Sequence, residues 1–226
     1  MGIRKKESNL VNVLGNLMNE EGNLQHSEGE LDQGLSANNL LCVGLDPGGS
    51  SGFCMIEGPL RGVGFDVLSV AQWSIDELIE YTGVVGGDNW WSHMGWAGVG
   101  LAVRVHDACS DWLFARRGGS GFVHVVMEDF LLTPGTIGSR AGMGGRDPVI
   151  PVALGSAFWT TFQSMVDGNG WCTMDTSVPS NKSMFNDAWL KEHINWQQWG
   201  RGKPHGVDAM RHALIGMRQF RNSYFE

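Results

Sequence analysis

Residues 40–46, LLCVGLD, form an unbroken apolar run of strand length that ends on a carboxylate, and residues 47–52, PGGSSG, close it with turn chemistry. Working forward, residues 52–58 (GFCMIEG) and 65–73 (FDVLSVAQW) are two further strand-like runs with short polar breaks before each. Three consecutive strands joined by tight turns imply an antiparallel meander. Ser74 and Glu77 then stand three apart, the spacing of a capping box, and open a short helix.

Beyond it lies a Gly/Trp-rich stretch, residues 83–100, which reads as an insertion, followed by a helical segment LAVRVHDACSDWLFARR (101–117). FVHVVMEDF (122–130) is a fourth strand ending in acids, and residues 131–147 read as a Gly-rich loop. VIPVALGSAFWTTFQSMV (149–166) carries Pro in its first turn and reads as a helix; GWCTMDTSV (170–178) is a fifth strand. Helical segments near 183–193 and over 207–220 end the chain. The order predicts an α/β fold, a five-stranded mixed sheet with its first three strands antiparallel and helices on both faces. Residues 1–38 are polar and are expected to be a mobile extension in which Leu10, Val13, Leu14 and Leu17 have helical spacing; residues 39–226 are expected to form one domain.

The chain is 226 residues long, with 42% hydrophobic and 18% charged residues, which excludes a wholly disordered polymer. Its 33 glycines are about twice the usual share, and ten tryptophans accompany them. Four scattered cysteines (Cys42, Cys54, Cys109, Cys172) contain no C-x-x-C pair, so neither a zinc ribbon nor a disulfide scaffold is expected and a reducing cytosol fits. No signal peptide or membrane span is expected, because no stretch approaches about 18 apolar residues.

The net charge of −8 argues against nucleic acid taken as a whole, yet it is unevenly spread. Residues 179–226 hold 7 Lys/Arg against 4 Asp/Glu, whereas residues 39–178 hold 6 against 14. Acids can also be metal ligands, and a bound divalent ion inverts the local field.

The chemistry sits at the strand ends. Asp46 ends the first strand beside a Gly-rich turn, Glu128 and Asp129 end the fourth, and His205 and Asp208 stand three apart at the start of the last helix. Each feature singly is ordinary: Asp-Pro-Gly is turn chemistry, and a His-x-x-Asp can cap a helix. Together they suit phosphate chemistry with hard cations, since Mg²⁺ takes carboxylate oxygen and two ions about 3.5–4 Å apart stabilise both oxygens of an in-line phosphodiester displacement. Asp46 suits a bridging place, Glu128 one ion, and His205 with Asp208 the other.

VGLDPGGSSGFCMI, VVMEDF and HGVDAMRHAL together resemble the RuvC-like Holliday junction resolvases of the RNase H-like superfamily, in particular their bacteriophage versions, over about residues 40–220. The resemblance implies an RNase H-like fold and a metal-dependent endonuclease. Two Mg²⁺ ions (or Mn²⁺) would be held by Asp46, Glu128, His205 and Asp208, and a homodimer would nick a four-way DNA junction symmetrically, leaving 5′-phosphates. A phage-encoded chain would act in the host cytoplasm.

DNA-binding candidates are Lys182 with the helix start after residue 179, Arg140 and Arg146 in the Gly-rich loop, and Arg201, Lys203 and Arg211 in the basic C-terminal segment. Arg218 and Arg221 extend that basic surface. His212 reads as a packing histidine, or one that orients a ligand, rather than a ligand itself. Trp90, Trp91 and Trp96 are candidates for DNA or dimer contacts, while Trp73, Trp112, Trp159 and Trp189 are expected in the core.

Three rivals stand beside this reading. An actin-like ATPase or sugar kinase also ends its first strand in Asp-x-Gly but needs a second such turn and a longer, two-lobed chain. A non-catalytic member of the fold would not need the four site residues. A nuclease for flaps, forks or RNA–DNA hybrids would keep the chemistry and change the substrate.

Overall fold

The computed structural model describes residues 39–62, 64–84, 89–115, 121–129, 149–168 and 170–225. The extension 1–38, Arg140 and Arg146 lie outside the described residues. The three N-terminal strands are β1 (Asn39–Asp46), β2 (Ser50–Pro59) and β3 (Asp66–Ser74), followed by helices α1 (Ile75–Thr82) and α2 (Trp90–Ala115). Next come β4 (Gly121–Glu128), α3 (Ile150–Val166), β5 (Cys172–Ser177) and a 3₁₀ turn (Pro179–Phe185). Helices α4 (Asp187–His193), α5 (Trp196–Trp199) and α6 (Pro204–Phe225) complete the chain.

The sheet runs β3-β2-β1-β4-β5, with β1 antiparallel to β2, β2 antiparallel to β3, and β1–β4 and β4–β5 parallel. This is the expected five-stranded mixed sheet. The strands β1 and β4 lie inside it and are buried almost throughout, which is why both read as continuous apolar runs rather than alternating ones. Two apolar cores result. Leu41, Val43, Leu45, Val123 and Val125 face α2 and α3, together with Leu101, Leu154, Phe158 and Phe162. Leu40, Cys42 and Phe122 face α6, together with Met210, Ala213 and Phe220. Each of the larger aliphatic and aromatic side chains among them contributes about 1.5–3 kcal/mol by leaving water.

Ser74 caps α1 as its spacing predicts: its hydroxyl accepts from the Glu77 N–H, and the Glu77 carboxylate accepts from the Ser74 N–H at 2.7 Å. From Trp90 onward the Gly/Trp-rich stretch is the first part of the 26-residue α2. Two of its glycines serve close packing: a Cβ on Gly100 would overlap the Leu78 carbonyl of α1, and one on Gly98 would meet Leu154 and Ala157 of α3. Helix–helix contact thus overrides the poor intrinsic propensity of glycine. Trp96 packs, half-buried, against the α2–α3 core, whereas Trp91 stays 65% exposed with its ring edge-on to Trp90 at 4.6 Å. Trp112 is buried, and Trp73, Trp159 and Trp189 pack against the two cores as expected.

Helix α6 lies unusually close to the sheet, and small residues make that possible. A Cβ on Gly44 of β1 would overlap the Ala209 carbonyl, and one on Gly52 of β2 would overlap the His205 carbonyl. This contact carries the start of α6 across the ends of β1 and β4.

Candidate metal centre

Strand alternation decides which way the acids point. Cys42, Gly44 and Asp46 of β1, and His124, Val126 and Glu128 of β4, alternate toward the α6 face, so both carboxylates emerge under α6 at the sheet's C-terminal edge. Asp46 and Glu128 are 6% and 5% exposed. The turn beyond Asp46 is closed by Ser51, whose hydroxyl accepts from the Gly48 N–H and donates to the Gly48 carbonyl, both at 3.3 Å.

Helix α6 supplies His205, Asp208 and His212, spaced i, i+3 and i+7, which places all three on the face turned to the sheet. His205 Nδ1 lies 2.8 Å from Asp46 Oδ2. The fully buried His212 presents Nε2 3.6 Å from Glu128 Oε2. Asp208 is braced from behind by Arg211, whose guanidinium also pairs with Asp187 and donates from Nε to the Phe185 carbonyl at 3.0 Å.

Lys182 enters from the 3₁₀ turn. Its ammonium lies 2.9 Å from Glu128 Oε2, 3.2 Å from Asp208 Oδ2 and 3.6 Å from Asp46 Oδ1. It thus faces inward among three carboxylates. Arg201 is solvent-exposed; Lys203 donates to the Val70 carbonyl at 2.8 Å. The structure therefore gathers Asp46, Glu128, His205, Asp208 and Lys182 in one cluster. Arg211 supports it from behind, and Arg201 lies on the open surface.

The electrostatics follow from burial and crowding. Burial, reinforced by Glu128, pushes the Asp46 carboxyl up to about 6 despite its bond to His205. Burial works on Glu128 the same way, but His212, Asp46 and Lys182 beside it more than compensate and hold it well below the ordinary carboxylate range. The bond to Asp46 raises His205. Burial would lower Lys182, but the carboxylates of Asp46, Glu128 and Asp208 outweigh it and raise the ammonium's pKa.

Two observations test whether these residues fit a divalent cation. Three carboxylates converge on the ammonium of Lys182, with His205 on Asp46 and Arg211 committed to the rear of Asp208, so the pocket offers the carboxylate oxygens a divalent cation takes. Both ring nitrogens of His212 are buried without a hydrogen-bond partner, as is the Ser177 hydroxyl, which sits in register with Glu128 on β5. Among the described residues, Asp46, Glu128 and His212 form a group whose ligand atoms all lie within 4.8 Å of one another. The donor set fits a hard or borderline cation, with Asp208 and His205 at its rim.

His212 is the residue sequence reasoning set aside. The signal that could have found it is the heptad spacing from His205, which repeats the same helix face one turn past Asp208.

The β3-β2-β1-β4-β5 order, with three antiparallel strands leading into two parallel ones and helices on both faces, is the RNase H-like fold. Among solved structures the chain is similar to the yeast mitochondrial Holliday junction resolvase Ydc2, with a TM-score of 0.51 and 14% sequence identity over 87% of this chain and 90% of that one. At that identity the likeness is one of fold. No protein-family model matches the chain, and no curated protein sequence does. Among the described residues no helix is long and apolar enough to cross a membrane.

Proposed function

We propose that the chain is a divalent-metal-dependent endonuclease that resolves four-way DNA junctions by paired phosphodiester hydrolysis. The observation that carries this reading is the convergence of Asp46, Glu128 and Asp208, from three separate elements, on one point at the C-terminal edge of the central strands. The similarity in fold to a solved resolvase supports the choice of substrate class.

In this reading Asp46 and Glu128 hold one Mg²⁺ or Mn²⁺, and Asp46 with His205 and Asp208 holds a second. Bound cations supply Lewis-acid stabilisation of the attacking and leaving oxygens of the phosphodiester. The protein's own part is positional. Burial fixes Asp46 and Glu128 on the sheet edge; Arg211 holds Asp208 in place; and Lys182, once its carboxylates are otherwise neutralised, would be free to pair with a phosphate oxygen. Arg201, and with it Arg140 and Arg146, is assigned to the DNA backbone, together with Lys203. Paired cuts on a two-fold substrate call for two such sites related by symmetry, hence a homodimer.

Labelled four-way junctions, flaps, linear duplex and RNA–DNA hybrid incubated with Mg²⁺ or Mn²⁺ provide the test. Paired nicks confined to junctions are expected, with loss of at least about 10³-fold in rate for Asp46→Asn. Full activity in Asp46→Asn overturns the site. Equal cutting of linear duplex leaves a nuclease without junction selectivity.

A further inference from the structure

Resting on the nuclease reading, we propose that His212 is itself a metal ligand. Its Nε2 joins the Asp46 and Glu128 carboxylates in an inner nitrogen-and-oxygen site that selects a first-row transition ion, of which Mn²⁺ is the probe, over Mg²⁺.

The imidazole has no exposed surface, and neither ring nitrogen has a hydrogen-bond partner. A buried polar atom left in that state is costly, and an ion on Nε2 would give that nitrogen the partner it lacks. The ring is aimed at Glu128, but 3.6 Å is too long for a hydrogen bond. It does match two donors sharing one cation: at bond lengths of about 2.0–2.2 Å, ligand atoms on the same ion sit about 3–4 Å apart. The three candidate ligand atoms lie within 4.8 Å of one another, and all three residues are buried.

The position follows from the fold. Gly44 and Gly216 allow α6 to press onto β1 and β4; a Cβ on Gly216 would overlap Val126, two residues before Glu128. His212 lies between the two glycine contacts and is thereby held down against the strand end. His205, by contrast, has a side chain 40% exposed and its Nδ1 engaged by Asp46. The two histidines of α6 thus occupy different depths, and the inner one is the better shielded from solvent. Nitrogen donors favour borderline transition ions, whereas Mg²⁺ holds to oxygen and keeps its waters, so an imidazole in a dry inner site biases selection away from Mg²⁺.

Pulsed EPR on the DNA-free full chain loaded with one equivalent of Mn²⁺ reads this directly through ¹⁴N coupling to the ion. Coupling is expected in the wild type and in His205→Gln, and is expected to vanish when His212→Gln is added to His205→Gln, which removes the imidazole of the outer site as well. Competition titration should show Mn²⁺ bound more tightly than Mg²⁺, with the preference falling about 10-fold or more in His212→Gln. Should His212→Gln fail to fold, His205→Gln alone decides. Nitrogen coupling that persists there supports the inner ligand, and coupling that disappears overturns it. Unchanged coupling in a folded His205→Gln/His212→Gln double variant also overturns it. Junction cleavage sustained by Mg²⁺ alongside either negative result would leave the nuclease reading intact, so the two failures are distinguishable.

Discussion

The Nζ of Lys182 lies 2.9 Å from Oε2 of Glu128, and the same ammonium reaches Asp208 and Asp46. A side chain from the 3₁₀ turn thereby serves as counter-ion to carboxylates carried by β1, β4 and α6. Without it, three acids would face one another across a largely buried pocket.

Lys182→Met is therefore expected to destabilise the protein in chelator by about 1–3 kcal/mol, because it leaves buried carboxylates without their partner. Added Mg²⁺ or Mn²⁺ should close most of that gap. Urea unfolding with and without metal measures both. A variant as stable as wild type in chelator would show that the ammonium does not hold the site together.

Gly44→Ala tests the docking of α6. A methyl group there has no space, since it would overlap the Ala209 carbonyl and the Ala213 amide nitrogen, both backbone atoms. The expected cost is about 3 kcal/mol or more, with loss of metal binding as His205, Asp208 and His212 lift away from the strands. Unaltered thermal stability would refute the close approach.

Metal affinity should depend on pH through Asp46. Its carboxyl, raised to about 6 by burial, keeps its proton below that pH, and the proton competes with the cation. Affinity should rise as pH increases through about 6 and level off above it, falling up to about tenfold per unit on the acid side if one proton is displaced. Calorimetric titration with Mn²⁺ at pH 5, 6 and 7 checks this; a flat profile contradicts it.

His124 predicts a separate effect on stability. Burial beneath α6 lowers its pKa to about 4, while its Nδ1 contacts the Thr173 hydroxyl at 2.8 Å. The unfolded chain takes up a proton near pH 6.5 that the folded chain refuses until about 4. The stability from neutral His124 is thus complete above about pH 6.5 and is lost as pH falls toward 4, by up to about 3 kcal/mol. His124→Gln should flatten that part of the stability–pH curve in urea titrations. An unchanged slope would point to other groups.

Most of the architecture was legible in the sequence because its signals are local. LLCVGLD and FVHVVM are apolar at nearly every position, so each declares a strand covered on both faces, and Ser74 with Glu77 announces a helix start. The stretch 90–100 misled, since glycine's low helix propensity is a local property and its packing against Leu78 and Leu154 is not.

The sequence alone determined which acids stand at strand ends and that His205 and Asp208 share a helix face, because both depend only on the periods of strand and helix. The tertiary structure alone decided what fills the space between them. How deeply α6 sinks depends on Gly44 and Gly52 of the strands facing its backbone and on its own Gly216 facing Val126, and that depth buries His212 against Glu128. The path of the 3₁₀ turn sends the ammonium of Lys182 inward rather than to solvent. Both are contacts between residues far apart in the chain, set by packing and charge balance; the spacing of His212 from His205 gives its helix face but not its depth or its partner.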